Sequence, residues 1–256
     1  MDKVKKLTQD EFKDIASKLP FNDRLLSKDY YITLILYLMK DIDGIYFKGG
    51  TALQKIFLNH KRLSEDIDFT LIEDVSKIRV KITNILQKHF KITKDKDVEG
   101  FTRLIVHYKG FLDEEGVIFI DLNKRAKLLT KPEKHNINHF YKGSIPEFSI
   151  NTLSKGEMIA EKIMDAIGRN MPRNHYDIYH MIKANIPIDM GLVRKKSEQA
   201  GADFSVIKMF NKAKKLKNRW DEDMLPLMKE EVSFVEVMKT LSDHFKLKEE
   251  KERLRK

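Results

Sequence analysis

The chain has 256 residues, no cysteine, and 49 Lys plus Arg against 39 Asp plus Glu, for a formal charge of +10. The lack of cysteine excludes a disulfide scaffold, a thiolate zinc site and a cysteine nucleophile, while 41 % hydrophobic and 34 % charged residues fit a soluble globular chain and not a disordered one. The longest apolar run, Tyr30–Met39, is about half of the ~20 residues that span a bilayer, and the first residues carry no signal-peptide pattern; a cytoplasmic protein without a membrane partner is expected. In chain order, Thr8 and Glu11 have capping-box spacing before a helix that Pro20 stops. Asn22 caps a second helix to about Lys40, with Leu34, Ile35, Tyr37 and Leu38 as its packing stripe. Ile45–Phe47 is a short strand, the segment after Thr51 a helix, and 66–71 an alternating strand. A helix through Ile78, Ile82 and Leu86 follows, ending near Phe90. Thr102–Tyr108 and Val117–Leu122 are strands joined by a turn with Gly110, Asp113 and Gly116. The stretch with Pro132, Gly143 and Pro146 reads as loop. A boundary near 150 divides a 1–150 domain from a helical 151–256 domain. There Ser154 and Glu157 suggest another capping box, and Pro172 separates two helices. Further helices are expected from about Asp189 to Ala200, Phe204 to Arg219 and Val232 to Lys248, with a fraying charged end.

The chemistry concentrates in Phe47–Phe69. Gly49 and Gly50 stand between a strand and a helix, where glycine lets the backbone approach an anion. The helix that begins at Thr51 turns its free N–H groups and positive dipole end toward that turn, which makes a phosphate cradle. Ser64 can either cap a turn or hydrogen-bond a phosphate. Asp66 and Asp68 are two apart on a strand and so share a face. Paired carboxylates repel unless a cation lies between them, and hard oxygens suit Mg²⁺, which also binds substrate phosphates. Asp121 ends an otherwise apolar strand. Next to the first two acids it would complete a site for two ions, one at the attacking hydroxyl and one at the triphosphate. Each feature has a plainer alternative: a tight turn for the glycines, a solvated edge strand for Asp66 and Asp68, and a turn-initiating acid for Asp121.

In the second half, Lys162 and Arg169 lie seven apart on one expected helix and could grip a triphosphate, or pair with Glu161, Asp165 or Asp177. Asp177 could orient Lys162, act as a base, or form a structural ion pair. Lys208, Lys212, Lys214, Lys215, Lys217 and Arg219, ending at Trp220, could track an RNA backbone with an aromatic ready to stack, or be a solvated helix face. His135 and His139 are four apart with no nearby acid to complete a zinc site, and read as loop residues.

The Gly-Gly turn followed by Asp-x-Asp resembles the nucleotidyltransferase superfamily. Gly49-Gly50-Thr51-Ala52-Leu53 and Ser64-Glu65-Asp66-Ile67-Asp68-Phe69 resemble more closely the abortive-infection toxins of AbiEii/AbiGii type. So do Glu161-Lys162, Arg169 and Pro172-Arg173-Asn174-His175-Tyr176-Asp177-Ile178-Tyr179, except that Asn174 stands where the family run has Asp. The resemblance covers roughly residues 30–185. It implies an α/β (α+β) fold: a nucleotidyltransferase-like mixed sheet with flanking helices, followed by a helical C-terminal domain that completes the cleft. It implies a Mg²⁺-dependent enzyme, with two ions and with Mn²⁺ as a substitute. The catalytic set would be Asp66, Asp68, Asp121, Lys162 and Asp177, with metal on the first three. The NTP would be held by Gly49, Gly50, Thr51, Ser64, Lys162 and Arg169. The implied reaction moves an NMP to RNA, foremost the 3′ end of tRNA, releases pyrophosphate and stops translation; a winged-helix antitoxin is the implied partner. A protein or small-molecule acceptor, or a non-catalytic binding module of the same fold, are the alternatives.

Overall fold

The computed structural model describes residues 4–125, 127–169, 171–202 and 204–253 and divides into two compact units, Met1–Ser154 and Lys155–Lys256. In the first unit, α1 (Gln9–Ala16) opens with the expected capping box. The Glu11 amide donates to the Thr8 hydroxyl at 3.2 Å, and the Thr8 amide donates to the Glu11 carboxylate at 2.9 Å. Such a cap is worth ~1 kcal/mol. Asn22 accepts from the Arg24 amide at 2.9 Å and starts α2 (Asp23–Met39). The buried stripe of α2 is Ile32, Ile35, Leu36 and Met39, at the i, i+3, i+4, i+7 spacing of a core-facing helix. Leu34, Tyr37 and Leu38, expected in that stripe, flank it and are half-buried.

The sheet is built from β1 (Ile45–Lys48), β2 (Ile67–Leu71), β3 (Lys91–Val98), β4 (Phe101–Lys109), β5 (Glu115–Asn123), β6 (Glu133–Asn136) and β7 (Ser149–Thr152), with α3 (Gly49–Ile56) and α4 (Val75–Leu86) between strands. Its order is β3-β4-β5-β2-β1-β7-β6. The pairs β2–β5 and β1–β7 are parallel, and the others are antiparallel. Alternation puts Leu104, Val106, Ile118, Ile120 and Leu122 on the buried face. The helix α4, with Ile78, Ile82 and Leu86 buried, packs against β3, β4 and β5. The opposite face of β4 and β5 carries half-buried Arg103, Phe119 and Asp121.

Three strands escape the sequence reading. β3 (KITKDKDV) is an edge strand, mostly exposed, so no apolar alternation marks it. β6 and β7 have four residues each and lie within the presumed loop. Gly116, expected in the hairpin turn, sits inside β5 opposite Tyr108.

The second unit comprises α5 (Lys155–Gly168), α6 (Pro172–Lys183), α7 (Met190–Gln199), a 3₁₀ turn (Val206–Phe210), α8 (Ala213–Met224), α9 (Phe234–His244) and α10 (Leu247–Arg253). Its core gathers Ile163, Tyr176, Ile178, Met209, Trp220, Met224 and Leu241. Two helices are separated at Pro172 as expected, α5 ending at Gly168 and α6 opening with Pro172 in its first turn; its missing N–H costs nothing there. The single helix expected over 204–219 is a 3₁₀ turn and then α8, and the one over 232–248 breaks at Lys246, whose φ is 48°. The carboxylate of Glu157, assigned to a capping box, is buried and meets the Lys196 ammonium at 2.5 Å. The charged end is helical through Arg253; residues 254–256 of the expected fraying tail lie outside the described residues.

Candidate active site

The site is set by one glycine and three strands. β1 runs into α3 with no linker, and Gly49 makes the junction at φ +78°, a conformation that costs an L-side chain roughly 1–2 kcal/mol. A Cβ built on Gly49 would lie 2.2 Å from Asp68 Oδ2 and 3.1 Å from Asp68 Cβ. The turn backbone therefore lies directly against the Asp68 carboxylate. No side chain caps the first turn of α3 from Lys48, and Gly49, Gly50 and Thr51 bring their backbone N–H groups there, where donors outnumber intrahelical acceptors. The Thr51 hydroxyl is buried and donates to the Asp66 carbonyl. Its side chain thus ties α3 to the entry of β2. Ser64 is half-buried in the loop before β2.

Strand register brings the acids together. Asp68 pairs with Lys48 of β1 on one side and with Asp121 of β5 on the other, and Asp121 pairs with Arg103 of β4, itself opposite Lys96 of β3. The condition stated for Asp121, adjacency to the Asp66–Asp68 strand, is met. Its carboxylate is engaged, however. Arg103 Nε donates to Oδ1 and Nη2 to Oδ2, each at 2.7 Å, a bidentate fork of the strong kind. The guanidinium carbon stands 5.0 Å from the Phe119 ring centroid. Its hydrogen bonds to Asp121 raise the Arg103 pKa above its usual value, with further contributions from the charges of Asp121, Asp66 and Asp95. Among the described residues, no group of three or more His, Asp or Glu is gathered as a metal cluster. Asp68 lies against Gly49, and Asp66 stands just before β2, outside the strand expected over 66–71.

Sequence reasoning did not find Arg103. Its partner is 18 residues away, and only the β4–β5 register reveals the pair.

The expected residues of the second unit fall into separate groups. The Lys162 ammonium is buried, 3.1 Å from Asp177 Oδ2 and 3.2 Å from Asn174 Oδ1. Asn174, where the family run has Asp, therefore still serves as a partner. Arg169 is exposed and pairs with Asp165 at 3.2 Å. Seven residues put it about 10 Å along the helix axis from Lys162, so the two cations share a face but not a place. Lys212, Lys214, Lys215 and Lys217 are exposed. Lys208 and Lys212 line a cavity of about 390 Å³ with Met164, Ile167, Ser197 and Asn211. Arg219 is tied to Asp223 at 2.8 Å. Trp220 is not available for stacking: it is 2 % exposed, and its indole donates to the Val232 carbonyl at 3.0 Å. His135 lies in β6 with Glu133 at 2.7 Å, and His139 is buried.

Over residues 37–242 the sequence matches the family described as nucleotidyl transferase AbiEii toxin, type IV toxin–antitoxin system. The chain belongs to this family. Membership in the AbiEii family makes it a nucleotidyltransferase toxin, with an NTP substrate and a cognate antitoxin. No curated protein matches the sequence. Among solved structures it is similar to MenT4, a nucleotidyltransferase toxin from Mycobacterium tuberculosis H37Rv, with a TM-score of 0.70 and 19 % identity over 94 % of this chain and 89 % of that one. It is also similar to JHP933 from Helicobacter pylori, with a TM-score of 0.57 and 16 % identity over 92 % and 98 % of the two chains. At these identities the likeness concerns the fold. No described helix is long and apolar enough to cross a membrane.

Proposed function

We propose that this AbiEii protein is a divalent-metal-dependent toxin that transfers an NMP from an NTP to RNA, at the 3′ end of tRNA, and thereby blocks translation. The observation that carries the reading is the contact of Gly49 with the Asp68 carboxylate, because it brings a phosphate-binding turn and a metal-binding acid to one point. Asp66 and Asp68 hold Mg²⁺. When bound, the ion neutralises the triphosphate and favours the ionised form of the attacking hydroxyl. The amides of Gly49, Gly50 and Thr51 donate to phosphate oxygens, and the helix dipole favours that charge.

Lys162 acts as a fixed cation for the triphosphate or the RNA. Asp177 and Asn174 occupy two of the three donors of its ammonium and orient the third. The exposed lysines 212, 214, 215 and 217 track the RNA backbone. A winged-helix antitoxin encoded beside the toxin is the expected partner, and the cytoplasm is the expected compartment. The test is incubation of the purified chain with each of the four labelled NTPs, total tRNA and cell protein. Label in tRNA with one favoured NTP is the expected result. Label in protein alone ends the RNA reading.

A further inference from the structure

The row Lys48–Asp68–Asp121–Arg103–Lys96 crosses five strands in register. Its two carboxylates stand on neighbouring strands, ~4.8 Å apart at the backbone. Two such acids do not both stay ionised without compensation. Compensation can come from metal ions or from side-chain cations, and at Asp121 the geometry shows a side-chain cation. Both Asp121 oxygens accept hydrogen bonds from Arg103 at 2.7 Å. The guanidinium plane is further fixed by the Phe119 ring and by the pairing of its strand with β5. The Asp68 carboxylate lies against the glycine turn, with Lys48 opposite it in register. A Mg²⁺ ion needs no more than one or two carboxylates when substrate phosphates complete its shell.

We infer that Arg103 is the second cation of this active site: its guanidinium takes the place at Asp121 that a second divalent ion would hold, and Asp66 and Asp68 bind a single ion. The inference rests on the divalent-metal reading above. Asp121 then acts as a positioning residue, since it holds Arg103. The fork leaves three of the guanidinium's five donors for oxygens of the triphosphate. A permanent side-chain cation does this without a second ion having to be recruited.

The test is a Mn²⁺ titration of the full chain without nucleotide, with free Mn²⁺ read by electron paramagnetic resonance and folding checked by circular dichroism. Wild type should bind one ion. Asp68→Asn should lose it and Asp121→Asn should keep it. Arg103→Met, which uncovers Asp121, should bind two, whereas Arg103→Lys, which keeps a charge, should still bind one. Two ions in the wild type with one lost in Asp121→Asn would overturn the inference and leave the metal reading intact. Arg103→Met still binding one ion would also overturn it. If Arg103→Met does not fold, the Asp121→Asn and wild-type stoichiometries decide alone. Wild type binding no Mn²⁺ would defeat the metal reading and the inference together.

Discussion

Substituting Gly49 by Ala perturbs one atom whose surroundings are known. The new Cβ would meet Asp68 Oδ2 at 2.2 Å, Cγ at 2.9 Å and Cβ at 3.1 Å. The carboxylate can swing away, so the steric cost to folding is modest, but Oδ2 must move by about 1 Å to regain the ordinary contact distance of an oxygen. The backbone cost is less avoidable, since φ is +78° and an L-residue there loses roughly 1–2 kcal/mol. A 1 Å misplacement of a reacting group costs on the order of 10²-fold in rate. Gly49→Ala should therefore lose about 100-fold in kcat/KM for nucleotidyl transfer, with a Tm lower by only about 2–8 °C. Steady-state kinetics with a labelled NTP and differential scanning calorimetry measure the two quantities. Gly143→Ala is the control: nothing lies within 4 Å of its added Cβ, and neither rate nor Tm should fall. A Gly49→Ala protein with wild-type kinetics would refute the proposal that the turn presses on an acid the reaction needs.

The buried pair Lys162–Asp177 predicts a loss of ~3–5 kcal/mol for Lys162→Met, because an uncompensated charge remains; adding Asp177→Leu should recover part of it in urea unfolding, whereas strictly additive losses would show that the two do not act as a pair. His60 and His139 are held near pKa 4 against a usual 6.5, first by burial and then by the Lys55 charge. Between those values the unfolded chain binds protons that the folded chain does not, so stability falls as pH drops from about 6.5 to 4, by about 3 kcal/mol per histidine. His60→Gln should roughly halve that acid slope, and an unchanged slope would contradict the assignment. Replacing Lys212, Lys214, Lys215 and Lys217 by Ala should reduce the slope of log affinity for tRNA against log salt by about 3 to 4 and leave Tm unchanged; an unaltered slope would remove this face from the RNA path.

The sequence reading succeeds where local chemistry and local structure coincide. Thr8 and Glu11 announce their cap, and the meeting of Gly49 with Asp68 is legible because turn, helix start and strand occupy one short segment. It falters where a residue's role depends on register. Arg103 looks like an ordinary strand cation until β4 is placed beside β5. Lys162 and Arg169 share a helix face by spacing, yet one is buried and the other exposed. Trp220 closes a basic run in sequence, but its side chain fills the core between Tyr176 and Phe234, since helical periodicity sends it inward with Leu216 and Met224. β3 hides for the opposite reason: as an edge strand rich in Lys and Asp, it has no buried face to leave an apolar alternation.

The central claim is that the acids beside the glycine turn perform nucleotidyl transfer and that this transfer is toxic. The most direct measurement compares the parent with Asp66→Asn and Asp68→Asn, each shown to be folded by its melting curve, for label transfer from NTP to tRNA and for growth arrest on induction. A loss of transfer of about 10³-fold or more together with restored growth is the predicted result. Folded variants that arrest growth as fully as the parent would contradict the account.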